Sequence, residues 1–309
     1  MNAIVEVAQL TKQFAELKAV SDLSFSVPKG EVYGFLGQNG AGKSTTIRML
    51  LTLVRPTAGT IRLFGKDIGT NRRAALQQVG AIIEKPDLYQ YLTAAQNLSL
   101  MARLSGLNPT RKQLLQQLEK TGIADRADSR VKTFSQGMKQ RLGLACALMH
   151  DPELIILDEP TNGLDPQGIA DVRNLILQLS REEGKTVFIS SHLLSEMELV
   201  ADSMLIIDGG KKMVEGKVSD LLNPADTLVS LETADDAAAR NLLGQSQWSG
   251  SIQPGTDLVV KMHRQDVPFL NRFLVEHHVE VLSLHPRHSL EDYFLSLTKA
   301  NQHVAAYQH

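Results

Sequence analysis

Eight consecutive residues, Gly37-Gln38-Asn39-Gly40-Ala41-Gly42-Lys43-Ser44, follow the pattern G-x-x-x-x-G-K-[ST]. Glycines at these spacings let a backbone wrap closely around phosphate, with its N–H groups turned inward. A helix beginning at the lysine adds the partial positive charge of its N-terminus. Lys43 would then reach the β- and γ-phosphates of a nucleotide, and the Ser44 hydroxyl would ligate Mg²⁺. A glycine-rich turn with a chance lysine is the competing reading; it needs no flanking strand and helix, and both are expected here. Further along, Leu154-Ile155-Ile156-Leu157 runs into Asp158-Glu159. An acidic pair at the carboxyl end of a buried strand stands where open α/β sheets bind ligands. Asp158 would hold Mg²⁺ directly or through water, and Glu159 would orient or deprotonate an attacking water. Many strands end in a solvated acidic turn, so this pair carries weight because it accompanies the phosphate loop.

The elements that must position these residues read as an α/β core. Short apolar runs at 4–7, 23–27 and 31–36 predict early strands, and the glycine loop leads into a helix over 43–53. Residues 55–60 (RPTAGT) read as a turn, 61–64 as a short strand and 79–83 as another. Residues 88–132 are polar, Leu- and Gln-rich and helical in period, which predicts a helical subdomain inserted over about 86–150. A helix over 137–150 stops at Asp151-Pro152. Four successive aliphatic residues in 154–158 suit a parallel strand covered on both faces. A helix over 171–179, a strand over 186–190 and a hairpin opening at 203–208 before Gly209-Gly210 complete a mostly parallel sheet. Near Asn223-Pro224 the pattern changes to a small α+β appendage. The expected division is an ATPase-type domain over 1–220 and an accessory or regulatory domain over 221–309.

Composition bounds the function. The chain has 309 residues, enough for two domains, with 43% hydrophobic and 21% charged residues and a net charge of −2. That balance gives no basic excess for nucleic acid and no polybasic tail for an anionic membrane. One cysteine, Cys146, excludes an internal disulfide framework. The first residues lack the apolar core of a signal peptide, and no apolar run approaches the roughly 20 residues that span a bilayer. A membrane role would therefore work by docking onto another chain.

With both motifs in place, four further segments resemble the ATP-binding-cassette (ABC) transporter ATPases over residues 3 to about 220. Phe134-Ser135-Gln136-Gly137-Met138 stands where that family carries LSGGQ, departing at Phe134, Gln136 and Met138. The resemblance implies that Ser135, Gln136 and Gly137 face ATP bound to the opposite subunit; Ser135 is also a natural helix N-cap. Gly163-Leu164-Asp165 resembles the D-loop, which crosses between subunits. His192, in ISSHLLSEME, stands at the family's switch histidine, and Phe14 at the aromatic position that stacks on adenine. ATP binding is implied for Phe14 and for Gly37 through Thr45, namely Gly37, Gln38, Asn39, Gly40, Ala41, Gly42, Lys43, Ser44 and Thr45. Glu159 and His192 would be catalytic, and Ser44, Asp158 and Glu84 would face Mg²⁺. Glu84 departs from the family's usual glutamine and is similar to the bacitracin- and lantibiotic-resistance branch. A carboxylate there is repelled by the γ-phosphate unless Mg²⁺ lies between them.

The resemblance implies a RecA-like P-loop core with an N-terminal antiparallel β element and a head-to-tail homodimer around two ATP–Mg²⁺. It further implies a separate integral membrane permease, reached through a groove around residues 84–91 and the helical subdomain, with Leu88, Tyr89 and Tyr91 as anchors. The chain would act at the cytoplasmic face of the membrane, powering export of a drug, peptide antibiotic or lipid-like substrate. A soluble ABC clamp on nucleic acid or ribosomes is the rival class; it calls for a long coiled coil or a second cassette, and neither pattern occurs. His277, His278, His285 and His288 lack partners that would complete a metal site. The ending Ser289-Leu290-Glu291-Asp292-Tyr293-Phe294 is similar to those of many exporter ATPases.

Overall fold

The computed structural model describes residues 3–221, 227–255 and 257–287, and divides into two compact units, Met1–Lys217 and Val218–His309. The ending at 289–294, His288 and the Asn223-Pro224 boundary lie outside the described residues.

In the first unit, β1 (Ala3–Phe14) and β2 (Leu17–Pro28) form a long antiparallel pair, more than twice the length their apolar runs suggested. Their outer ends, at 11–14 and 17–19, are largely exposed and are held by cross-strand pairing rather than by burial. β3 (Val32–Leu36) is buried along its whole length and leads through the glycine loop into α1 (Lys43–Leu50). The expected turn at 55–60 is half wrong: β4 (Ala58–Leu63) begins inside it, because Ala58 and Thr60 pair with Thr11 and Ala8 of β1. Gly59 makes this possible at φ +89°, where a Cβ would lie 2.4 Å from the Gln9 carbonyl oxygen. Short pieces β5 (Lys66–Asp67) and α2 (Arg72–Leu76) precede β6 (Val79–Ile82).

The helical insertion contains α3 (Ala94–Leu104) and α4 (Arg111–Lys120), each opened by a reciprocal capping box, Thr93 with Gln96 and Thr110 with Gln113. With α5 (Gln136–Leu148) they enclose a core of Leu98, Leu114, Leu118, Leu142 and Ala145. The core sheet resumes with β7 (Leu154–Asp158), α6 (Pro166–Arg181), β8 (Thr186–Ser191), α7 (Leu194–Glu198), β9 (Ser203–Asp208) and β10 (Lys211–Lys217). α6 starts five residues before the expected 171, since Asp165 caps it and Pro166 occupies its first turn.

The six-stranded sheet has the order β10-β9-β3-β8-β7-β6, parallel except for β10; a second, antiparallel sheet runs β2-β1-β4-β5. The principal core joins them, and Phe25, Tyr33, Phe35 and Phe188 stack at its centre with ring centroids 5.3–6.1 Å apart.

The second unit comprises α8 (Val218–Leu221), β11 (Thr227–Thr233), α9 (Asp236–Gly244), β12 (Leu258–Met262), α10 (Val267–Glu276) and β13 (Val281–Arg287). Its antiparallel sheet runs β12-β11-β13 over a core that includes Val229, Leu243, Leu270 and Trp248, the last edge-on to Phe273 at 5.0 Å.

Candidate nucleotide site

The glycine loop is shaped by close approach. At Gly37 a Cβ would lie 2.6 Å from the Ile207 carbonyl oxygen, and at Gly42 (φ +104°) 2.6 Å from that of Ala19. Side chains are thus excluded at both ends of the loop. α1 follows with no side-chain cap and no acid in its first turn, leaving its N-terminal amides for an anion. The cleft in front has a volume of about 340 Å³ and is lined by Phe14, Gln38, Asn39, Gly40, Lys43, Ser44, Thr45, Glu159 and Asn162, among others. Phe14 is 45% exposed at its mouth rather than packed in the core, with the Lys12 ammonium 4.7 Å from its ring centroid. An open aromatic face beside a phosphate loop suits a stacked base.

Lys43 is 5% exposed. It donates to the carbonyls of Gly37 (2.6 Å) and Gln38 (3.3 Å) and stands 3.2 Å from Glu159 Oε1. The other oxygen of Glu159 meets His192 Nδ1 at 2.7 Å. Glu159 thus links the phosphate-loop lysine to the histidine after β8, from a left-handed backbone at φ +49°. Its N–H donates to Ser190 Oγ (3.0 Å), and that hydroxyl donates to Asp158 Oδ1 (2.6 Å). Parallel pairing of β7 with β8 sets Ser190 directly against Asp158. Ser190 orients both acids and was not singled out in the sequence; its cue was its place two residues before His192 at a strand end.

Asp158 is fully buried, and its Oδ2 has no hydrogen-bond partner. An orphaned buried carboxylate oxygen is costly unless a cation completes it. The donor set of Asp158 and the Ser44 hydroxyl is oxygen only, which fits Mg²⁺.

The remaining site candidates lie elsewhere. Ser135 caps α5, its Oγ accepting from the Met138 N–H at 3.3 Å. Phe134 is buried and Met138 partly buried in the helical core, so two departures from LSGGQ serve packing. At Gly137 a Cβ would meet nothing closer than 4.0 Å, so the fold of this chain does not require a glycine there. None of Ser135, Gln136 and Gly137 lines the Lys43 cleft. Asp165 accepts from the Gly168 N–H (3.0 Å) as the cap of α6. Glu84 is also absent from the cleft lining; its carboxylate pairs with Arg48 of α1 at 2.5 Å.

A second cleft, of about 460 Å³, opens between the loop after β6 and helices α3 and α5, lined by Ile83, Pro86, Leu88, Met101, Leu104, Cys146 and His150 among others. Leu88 packs into the helical core, whereas Tyr89 and Tyr91 are exposed and stack edge-on at 5.9 Å. Cys146 is half-buried, and burial pushes its thiol up to about 12.

Comparison with known proteins agrees with this geometry. The pattern of the ABC transporter family matches residues 20–162. The bacitracin transport ATP-binding protein BcrA of Bacillus licheniformis is 41% identical over 300 residues, covering 96% of this chain and 98% of that one. The lantibiotic transport ATP-binding protein SrtF of Streptococcus pyogenes is 41% identical over 69% of this chain and 90% of its own length. A solved ATP-binding subunit of an ABC transporter superposes with a TM-score of 0.63 at 31% identity, over 71% of this chain and 91% of that one.

Proposed function

The chain belongs to the ABC transporter family, and we propose that it is the ATPase motor of an exporter that removes a peptide antibiotic or similar amphipathic compound through a separate membrane permease. It binds ATP and hydrolyses it to drive transport. The observation that carries the reading is the Lys43–Glu159–His192 linkage beside the glycine loop. In this reading Lys43 is the cation for the phosphates, Glu159 the base for water and His192 the group that orients that base. The finer choice of substrate rests on the bacitracin and lantibiotic transport proteins it is similar to.

In this reading ATP displaces Glu159 from Lys43, Phe14 stacks on the base, and the α1 amides take the phosphates. Ser44 and Asp158 would hold Mg²⁺, which would supply positive charge against the charge developing on the phosphates. Glu159, freed from Lys43 but still bonded to His192, takes a proton from the attacking water. Ser135 and Gly137 act on the nucleotide of a second copy of the chain, so hydrolysis requires a head-to-tail homodimer. Support for this is the separation of the signature residues from the chain's own cleft and the open space at Gly137. The permease docks in the cleft beside residues 84–91, with Tyr89 and Tyr91 as exposed anchors, and holds the chain at the cytoplasmic face of the membrane. Among the described residues no helix is long and apolar enough to cross a membrane. The C-terminal unit is an accessory or regulatory domain in this scheme.

The test is ATP turnover by the purified chain with and without its permease in vesicles. Turnover that rises on reconstitution, with substrate moved outward, supports the reading. Turnover indifferent to any membrane partner but stimulated by nucleic acid or ribosomes would replace it with the soluble clamp.

A further inference from the structure

An exposed ion pair between Glu84 and Arg48 ties the phosphate-loop helix to the loop after β6. Their placement relative to the site can be read from register. β6 pairs with β7 as Ile82 with Leu157, so two residues on, Glu84 leaves the sheet beside Glu159. Arg48 follows Ser44 by four residues on α1, one turn along the same face. Glu84 therefore emerges one strand from the catalytic acids and one helical turn from the Mg²⁺ hydroxyl, yet its carboxylate is turned to a guanidinium. Its backbone is held at φ +57°, a left-handed conformation that glutamate adopts only when its surroundings impose it.

We propose that Arg48 is a positioning residue that parks the Glu84 carboxylate away from the metal position in the nucleotide-free chain and yields it when Mg²⁺ and nucleotide arrive. The pair suits a reversible latch. Glu84 is 62% exposed and Arg48 42%, so their attraction is screened by water and breaks at small cost. Arg48 is not stranded by the exchange, because it sits in the last turn of α1, where the helix dipole favours a cation. The pair also accounts for an acid at this position: a glutamine could neither make the ion pair nor bring a negative charge to Mg²⁺.

The proposal rests on the reading that Glu84 faces Mg²⁺ in the loaded site, and the experiment separates the two. The full chain is titrated with Mg²⁺ in the presence of a fluorescent non-hydrolysable ATP analogue, and the Mg²⁺ midpoint of binding is read, with parallel binding in EDTA. Arg48→Ala should lower the midpoint about two- to fivefold, the range an exposed ion pair supports, and Arg48→Lys should stay near wild type. Glu84→Gln should raise the midpoint, since losing a carboxylate ligand outweighs losing the latch, and should silence Arg48→Ala in the double variant. Binding in EDTA should be the same for all five proteins. Both side chains are exposed, so thermal unfolding should also be unchanged. A Glu84→Gln midpoint equal to wild type sinks the metal reading and the latch with it. A shifted Glu84→Gln midpoint with an unshifted Arg48→Ala midpoint sinks the latch alone. A shift by Arg48→Ala that persists in the double variant, or appears equally in EDTA, means that Arg48 acts on the nucleotide itself.

Discussion

Replacing Glu159 with glutamine should do two separable things, because each of its oxygens has a different partner. One lies 3.2 Å from Lys43 and the other 2.7 Å from His192 Nδ1. Lys43 is 5% exposed and Glu159 17%, so the pair is largely out of water. At that distance and an effective dielectric constant near 20, the gross attraction is about 5 kcal/mol. Desolvation of both groups offsets most of it, leaving on the order of 1–2 kcal/mol net. An arriving phosphate must overcome that net attraction to engage Lys43. Glutamine keeps the size of the side chain and a hydrogen-bonding oxygen but removes its charge, so the free chain should bind ATP roughly 5–30-fold more tightly. Turnover should fall at least about 100-fold, the usual scale of a lost general base. Equilibrium binding of a fluorescent ATP analogue gives the first effect, and phosphate release gives the second. His192→Ala is the control: it leaves the Lys43–Glu159 pair in place, so it should slow turnover while changing affinity by less than about twofold. If Glu159→Gln binds ATP no more tightly than wild type, the ion pair is not a barrier to nucleotide and the reasoning fails.

The glycines of the two loops should behave oppositely. Gly37→Ala forces a Cβ to within 2.6 Å of the Ile207 carbonyl and should abolish ATP binding and lower the melting temperature, as calorimetry would record. Gly137→Ala meets nothing closer than 4.0 Å, so it should fold and bind nucleotide normally while losing turnover and ATP-induced dimerisation on size-exclusion chromatography. Phe14→Ala should weaken ATP binding by about 1 kcal/mol or more, roughly fivefold, without altering stability, and Phe14→Trp should restore it. With its pKa pushed up to about 12, the Cys146 thiol stays protonated at pH 8. Maleimide labelling of the native chain should therefore run on the order of a thousandfold slower than that of an unfolded control, and speed up only as the pH climbs well past 9.

The chemistry-bearing loops were legible in the sequence because each is a contiguous run whose backbone needs specific residue types. Gly37 and Gly42 mark close approach, and the aliphatic run of β7 marks a strand buried on both faces. The exposed outer ends of β1 and β2 carry no apolar pattern, since long-range pairing holds them. β4 was cut short because Gly59 mimics a turn signal while serving a strand crossing. The α6 start is set by Asp165-Pro166, a cap signal that coincides with the D-loop-like segment. Ser190 and Arg48 escaped for a different reason: neither has a residue type that marks a role, though Ser190 lies within ISSHLLSEME, and each acquires one only when the sheet register or helix face brings it to an acid.

These contacts explain why the free chain should be a poor ATPase. Lys43 is held by Glu159, Glu159 by His192, Glu84 by Arg48, and Ser135 by the amide of Met138. Each group that would act on the γ-phosphate is neutralised or turned to an intrachain partner. By contrast Asp158 Oδ2 is buried without a partner, and α1 opens with no capping side chain. The chain's own groups thus leave Asp158 Oδ2 and the α1 amides unsatisfied while pairing the proposed catalytic groups with one another. Nucleotide binding can proceed in one subunit, and the exchanges that release Glu159 and Glu84 follow it. Ser135 and Gly137 lie outside that subunit's own cleft lining, and in the proposed reading the last contacts come from a second copy. Binding energy in this arrangement first undoes intrachain pairs and then draws two chains together, a population shift that a docked permease can sense before any bond in ATP is broken.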